Sequence, residues 1–269
     1  MLLRAIVFSA ALASAGAIAA APAGRAPTGK WIVNFADAQC IAYRDYGTGP
    51  NPLRLVVKSP PVGDVMQVAV LREAGRSPAE QLRSTIAIDG RPLKTKLMAY
   101  TPKGSEERVY VVNMPSARFA EIRQAQSLSV RADGLDETFA LSQMEPLLRT
   151  MDTCVSDLRR VWNIGPDGAE PVGLKDRARA DLLTFFSDED YPGIVVENGR
   201  AGRVKFALLI GEDGRVADCT VVETSQEPIL DSQACAVLKS KARFEPAHGR
   251  DGQPAKDAMV GSVTWSLGA

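Results

Sequence analysis

The stretch Gly202 to Val222, GRVKFALLIGEDGRVADCTVV, decides the fold of the C-terminal third of the chain. Val204, Phe206, Leu208 and Ile210 share one face of a strand expected over 202–210, with Arg203, Lys205 and Ala207 on the other. Glu212, Asp213 and Gly214 turn the chain into a second strand from Arg215 to Val222. Strands joined that tightly form an antiparallel hairpin. Downstream, a helix is expected over 229–242, with Leu230, Ala234, Leu238 and either Cys235 or Ala242 inward. Asp231, early in it, suits the positive end of the helix dipole. A last strand is expected over 259–267, with Val263, Trp265 and Leu267 facing the core. Upstream, Pro192 opens a short helix through Val196. The simplest way to bury these faces is an α+β unit, a three-stranded antiparallel sheet with helices on one face.

The region before it, from Lys30 to Trp162, reads as a mostly β domain closed by a C-terminal helix. Strands are expected at 31–35, 53–57, 66–71, 84–88, 97–100 and 108–112, with a hairpin turn at Asp89-Gly90 and another at Asp133-Gly134. In the closing helix, Leu147, Leu148, Met151, Cys154, Val155, Leu158 and Trp162 recur at three- and four-residue spacing, and Ser142 with Glu145 has the form of a capping box. The resulting division is a signal peptide over 1–21, a disordered lead-in over 22–29, the β domain over 30–162, a linker over 163–176 and the C-terminal domain over 177–269.

The start of the chain places it in an oxidising compartment. Arg4 precedes a short Ala-rich apolar run ending in small residues, the pattern of a secretory signal peptide cleaved after Ala19 or Ala21. A soluble periplasmic protein is expected, with an uncleaved inner-membrane anchor as the alternative. Cys40, Cys154, Cys219 and Cys235 then favour two disulfides, for which sequence alone permits three pairings. The expected pattern is Cys40–Cys154 and Cys219–Cys235. Each bridge stays within one domain, and Cys219 alternates with Asp218 and Thr220 onto the face that the helix covers.

Thirty-two basic residues balance 32 acidic ones, which gives no reason to expect nucleic acid as a partner. No cysteine sits in a CxxC and the one histidine, His248, lies in a glycine- and charge-rich loop, so neither a zinc site nor a redox centre is expected. His248 reads as a surface residue, Asp188 to Asp190 as a solvated cap before Pro192, and Tyr43 to Tyr46 as a surface exit from a disulfide. No catalytic residues, cofactor or metal are expected.

Seven features then fall in order: Tyr191-Pro192, Gly202, Gly214-Arg215-Val216, Thr224-Ser225, Leu230-Asp231, Phe244-Glu245-Pro246-Ala247 and Gly252-Gln253-Pro254. In this order they resemble the TonB C-terminal domain family over about residues 191–267; residues 30–162 resemble no family. Some subfamilies carry cysteines in strand two and the helix, as here. The resemblance implies a non-enzymatic domain whose final strand, with the segment before Tyr-Pro, meets the short N-terminal peptide of an outer-membrane receptor. Carried over, that edge is Met259, Val260, Gly261 and Ser262, with Asp190, Tyr191 and Pro192 beside it. An open sheet edge accepts an extended peptide as an added strand, and Gly261 leaves room for close backbone approach. The expected function is peptide binding in receptor-linked transport. The alternatives are a periplasmic scaffold or envelope-maintenance protein, a homodimer through the same edge, and, more remotely, an enzyme housed in the first domain. The family's energy transducers also carry a proline-rich segment that crosses the periplasm; a compact domain stands in its place here.

Overall fold

The computed structural model describes residues 24–165 and 171–267. The expected signal peptide over 1–21 lies outside them. Nine strands of the first domain make one antiparallel sheet: β1 (Ile32–Ala36), β2 (Gln39–Tyr46), β3 (Leu53–Ser59), β4 (Val65–Glu73), β5 (Glu80–Ile88), β6 (Arg91–Tyr100), β7 (Glu107–Pro115), β8 (Ser127–Ala132) and β9 (Leu135–Ala140). Their spatial order is β1-β2-β3-β4-β7-β6-β5-β8-β9. Asp89 and Gly90, with φ of 46° and 75°, form the two-residue turn between β5 and β6, as that turn type requires.

The sheet curls because its two ends are stitched together. The Arg25 amide donates to the Thr138 carbonyl (2.7 Å) and Ala140 donates back to Arg25 (3.0 Å) on β9. On the other side of the segment, Thr28 donates to Asp45 (2.9 Å) and Gly47 donates to Ala26 (3.1 Å) at β2. Residues 24–28 are therefore ordered, which corrects the expected disordered lead-in over 22–29. Across this seam Tyr46 and Phe139 meet edge to face at 5.0 Å. β2 also corrects the reading of Tyr43 to Tyr46 as a surface exit. Cys40, Ala42, Arg44 and Tyr46 alternate inward, and the buried Arg44 guanidinium is held by the Gly29 and Ser142 carbonyls.

Two helices accompany the strands, α1 (Ser116–Ala120) between β7 and β8 and α2 (Met144–Val161) after β9. α2 turns Leu147, Leu148, Met151, Cys154 and Leu158 into the core against β1 and β2, and Cys154 is bonded to Cys40. Ser142 is not its cap. Gln143 occupies that position in the left-handed region (φ 60°), and the Ser142 hydroxyl accepts from Arg44 instead.

The remaining elements are β10 (Leu174–Asp176), α3 (Gly193–Glu197), β11 (Gly202–Ile210), β12 (Val216–Glu223), α4 (Pro228–Lys241), β13 (Ala247–Gly249), β14 (Pro254–Ala255) and β15 (Asp257–Trp265). β12, β11 and β15 form a three-stranded antiparallel sheet in that order, and α4 covers one face of it with Leu230, Ala234 and Leu238. Cys219 on β12 is bonded to Cys235 on α4. β10 pairs with β13, so Leu174 to Asp176 belong to this domain rather than to the expected linker over 163–176. Through that pairing His248 Nδ1 lies 2.8 Å from Asp176 Oδ1, a partnered rather than a plain surface histidine.

The second face of the small sheet is also covered. Ala207 and Leu209 pack into the core of the first domain, with Val222 and Ala258 against it. The seat is the outer face of the nine-stranded sheet. There Asp218 takes Lys58 at 2.7 Å and the Gln39 amide at 2.9 Å, while Glu227 takes Lys96 and Gln81.

Because Phe139 is fully buried at the seam, Phe139→Ala is expected to cost about 3–5 kcal/mol in urea denaturation. A loss below about 1 kcal/mol would mean that the seam is not packed.

Candidate functional site

β15 is an edge strand. Among the described residues it pairs only with β11, in regular register from Gly202↔Trp265 to Ile210↔Asp257. In an antiparallel pair, alternate residues turn both backbone groups toward the partner strand. Ala258 is out of that phase: its amide donates to the Asp257 carboxylate (2.7 Å) and its carbonyl accepts from Arg177 (2.6 Å). The same phase turns the amides and carbonyls of Val260, Ser262 and Thr264 outward, and those of Met259, Gly261 and Val263 into the ladder. Arg177 and Ala178 thus seal the Asp257 end of the edge, where the fully buried Asp257 takes both Arg177 Nε (2.9 Å) and the Ala178 amide (2.9 Å). Beyond it neither proline nor lysine interrupts Met259 to Trp265, the usual means of blunting an edge.

The expected site residues have different tasks. Val260 is exposed, and Ser262 accepts from Arg203 at 3.0 Å. Gly261 serves the core: a Cβ there would stand 2.6 Å from Leu182 Cδ1 and 2.9 Å from Phe206 Cε2. The absent side chain makes room for Leu182 rather than for an approaching peptide. Asp190 is buried and committed, accepting from the Ser187 amide and hydroxyl (both 2.9 Å) and from Lys241 at the end of α4 (2.7 Å). This corrects the reading of Asp188 to Asp190 as a solvated cap for Asp190 alone; Asp188 and Glu189 are exposed. Tyr191 leans on Trp265 at 5.4 Å and donates to the Arg200 carbonyl at 2.6 Å, so it meets β15 at its Trp265 end rather than at Met259 to Ser262. Pro192 caps α3 and lines the cleft between the domains.

The ordered motif residues hold one another. Gly214 has a φ of 71°, and a Cβ on it would stand 2.1 Å from the Phe244 carbonyl oxygen. The Phe244 amide in turn donates to the Gly214 carbonyl at 2.9 Å. Asp231, 1 % exposed, accepts from Thr224 and from the Ser225 amide (2.9 Å) and hydroxyl (2.8 Å), which ties the loop before α4 to its first turn. Burial pushes its carboxyl up from the usual range against those hydrogen bonds. Residues 188–267 match the family Gram-negative bacterial TonB protein C-terminal. No curated protein matches the chain.

Within the TonB-like domain the sequence reading missed Arg177, which seals one end of the edge, and Asp218 and Glu227, which hold the domain to its neighbour. The signal for Leu209 was present: Phe206 to Ile210 is apolar throughout, the pattern of a strand covered on both faces. Among the described residues no group of metal-ligating side chains comes together, and no helix is long and apolar enough to cross a membrane.

Two outcomes follow from this packing. Gly261→Ala is expected to destabilise the TonB-like domain by about 1–3 kcal/mol, and by less in a Leu182→Ala background; equal costs in both would remove Leu182 as the neighbour that demands glycine. The Lys241 ammonium holds the Asp190 carboxyl below its usual range. The ionised form therefore stabilises the fold fully above the unfolded value of about 3.9 and loses that contribution as pH falls through the folded value. Asp190→Asn should be less stable than the parent at pH 7, and the gap should close toward pH 3 in denaturation curves. A gap that did not change with pH would sever this linkage.

Proposed function

We propose that the protein is an exported, periplasmic TonB-like binding protein. It takes an extended peptide of an outer-membrane receptor or envelope partner as a fourth strand beside β15, in receptor-linked transport. The outward backbone groups of Val260, Ser262 and Thr264 carry this reading, because they form a row of donors and acceptors with no strand opposite among the described residues. The family match supports a protein partner. The footprint sits on Val260 to Thr264, with Tyr191 and Trp265 at one end and Arg177 closing the other. Asp190 has no part in it. The same row would pair equally well with its own copy in a symmetric dimer, which is the second reading.

Proline substitution separates the edge from the fold. Val260→Pro removes an outward donor and should leave the circular dichroism spectrum intact while weakening binding of receptor N-terminal peptides at least about tenfold. Gly261→Pro removes a ladder donor and should disrupt the sheet itself. Amide shifts in an NMR titration should centre on residues 258–265. Unchanged binding by Val260→Pro, or shifts confined elsewhere, would reject the edge, whereas a dimer dissolved by Val260→Pro in sedimentation equilibrium would favour self-pairing.

A further inference from the structure

A second site, unrelated to the β15 edge, opens between the domains. A cleft of about 660 Å³ lies between the outer face of β5, β6 and β8 and the loop that leads into α4. Four cationic side chains meet there in two adjacent rows. Arg83 on β5 stands opposite Lys96 on β6; Thr85, two residues on, stands between Lys94 of β6 and Arg131 of β8. Neighbouring strands are about 4.8 Å apart, so all four charges gather within roughly 10 Å on one face. Like charges so placed on adjacent strands oppose folding unless something neutralises them.

The protein neutralises only half of the array. Lys96 is paired with Glu227, and Arg131 with Asp136 at 2.9 Å. Arg83 and Lys94 have no ion pair or hydrogen bond among the described residues, and both adjoin Thr85, Arg83 two residues before it on β5 and Lys94 opposite it on β6. Two acids line the cleft, Asp133 at its rim and Asp231 at its floor. The Asp231 carboxylate is already occupied by Thr224 and Ser225. Two uncommitted positive charges with a hydroxyl beside each match a group of charge near −2 better than a single carboxylate. A phosphate monoester or terminal pyrophosphate carries about −1.5 to −2 at neutral pH and offers three acceptor oxygens. The volume is far larger than one phosphate and falls in the range of small-molecule sites.

We propose that this cleft binds a phosphate-bearing ligand, with its phosphate on Arg83, Lys94 and the Thr85 hydroxyl and the rest of the molecule against the Thr224 to Pro228 loop. The ligand would thus touch both domains and stabilise their docking. The phosphate belongs either to a soluble compound or to a phospholipid headgroup, and the probes distinguish the two.

Inorganic pyrophosphate titrated into the full chain at low salt should shift the amides of residues 83–85, 94–96 and 224–226 in NMR spectra. Arg83→Gln with Lys94→Gln should weaken that binding at least about tenfold, while Arg250→Gln, an exposed cation elsewhere, should not. Both substituted residues are exposed, so the double variant should keep the parent's circular dichroism spectrum. Vesicles containing phosphatidylglycerol that retain the parent but not the double variant would assign the phosphate to a lipid headgroup; pyrophosphate binding without vesicle retention would assign it to a soluble compound. No shifts at these residues with 10 mM pyrophosphate (about the concentration that a millimolar Kd saturates), or equal affinity of the double variant, would overturn the site.

Discussion

The second half of β11, Phe206 to Ile210, is apolar on both faces, and the rest of the architecture follows from covering it twice. Val204, Phe206, Leu208 and Ile210 are met by α4, while Ala207 and Leu209 have only the first domain to bury them. A three-stranded sheet with one helix would leave that second face in water. Docking onto the outer face of the nine-stranded sheet removes it, so the domains join through apolar contact as well as through charge. The approach is close: a Cβ on Gly63, at a φ of 86°, would stand 2.2 Å from Val222 Cγ1.

This docking also fixes which edge remains available. β12 lies toward β4 and carries Asp218 into the interface, where the carboxylate is only 2 % exposed and meets Lys58 and Gln39. A buried ion pair adds little net stability, but breaking it strands a charge in a dry interface, so such pairs specify geometry more than they add affinity. Asp218 and Glu227, each held by one cation and one amide of the first domain, define the orientation in this way. With β12 turned inward, β15 is the edge left uncovered among the described residues, and Arg177 shortens its open part to the stretch from Val260 onward.

The hairpin, the α4 helix and the Asp89-Gly90 and Asp133-Gly134 turns of the first domain were legible in the sequence because their signals are local. Periodicity of two, an Asp-Gly turn and a helix opening at Leu230-Asp231 need only near neighbours to be read. What was not legible depends on residues far apart in the chain. Ser142 has the form of a cap, yet Arg44, 98 residues away, takes its hydroxyl. Asp190 reads as solvated until Lys241 is placed above it. Gly24 to Thr28 are ordered only because β2 and β9 arrive on either side of them. Gly261 is the instructive case at the site itself. Its position on β15 was readable, but its reason is Leu182, which opens a single 3-10 turn (Leu182–Phe185) 79 residues away in the chain.

The first domain has a mechanical consequence for the proposed role. A polyproline spacer advances about 3.1 Å per residue, so a segment of this size would reach hundreds of ångströms and deliver its C-terminal domain at the end of a tether. Folded into a curled sheet, the same length of chain has a radius of gyration of only about 14 Å. It then grips the TonB-like domain through Ala207, Leu209, Val222 and Ala258 on one sheet face instead of trailing behind it. Such an arrangement holds an edge strand at a fixed orientation relative to the first domain. For binding, this rigidity lowers the ordering cost that a tethered domain would meet at each encounter. The part of the chain that differs from a spacer holds β15 in place, and in the proposed strand addition the exposed backbone groups would supply affinity while side chains beside them would supply specificity.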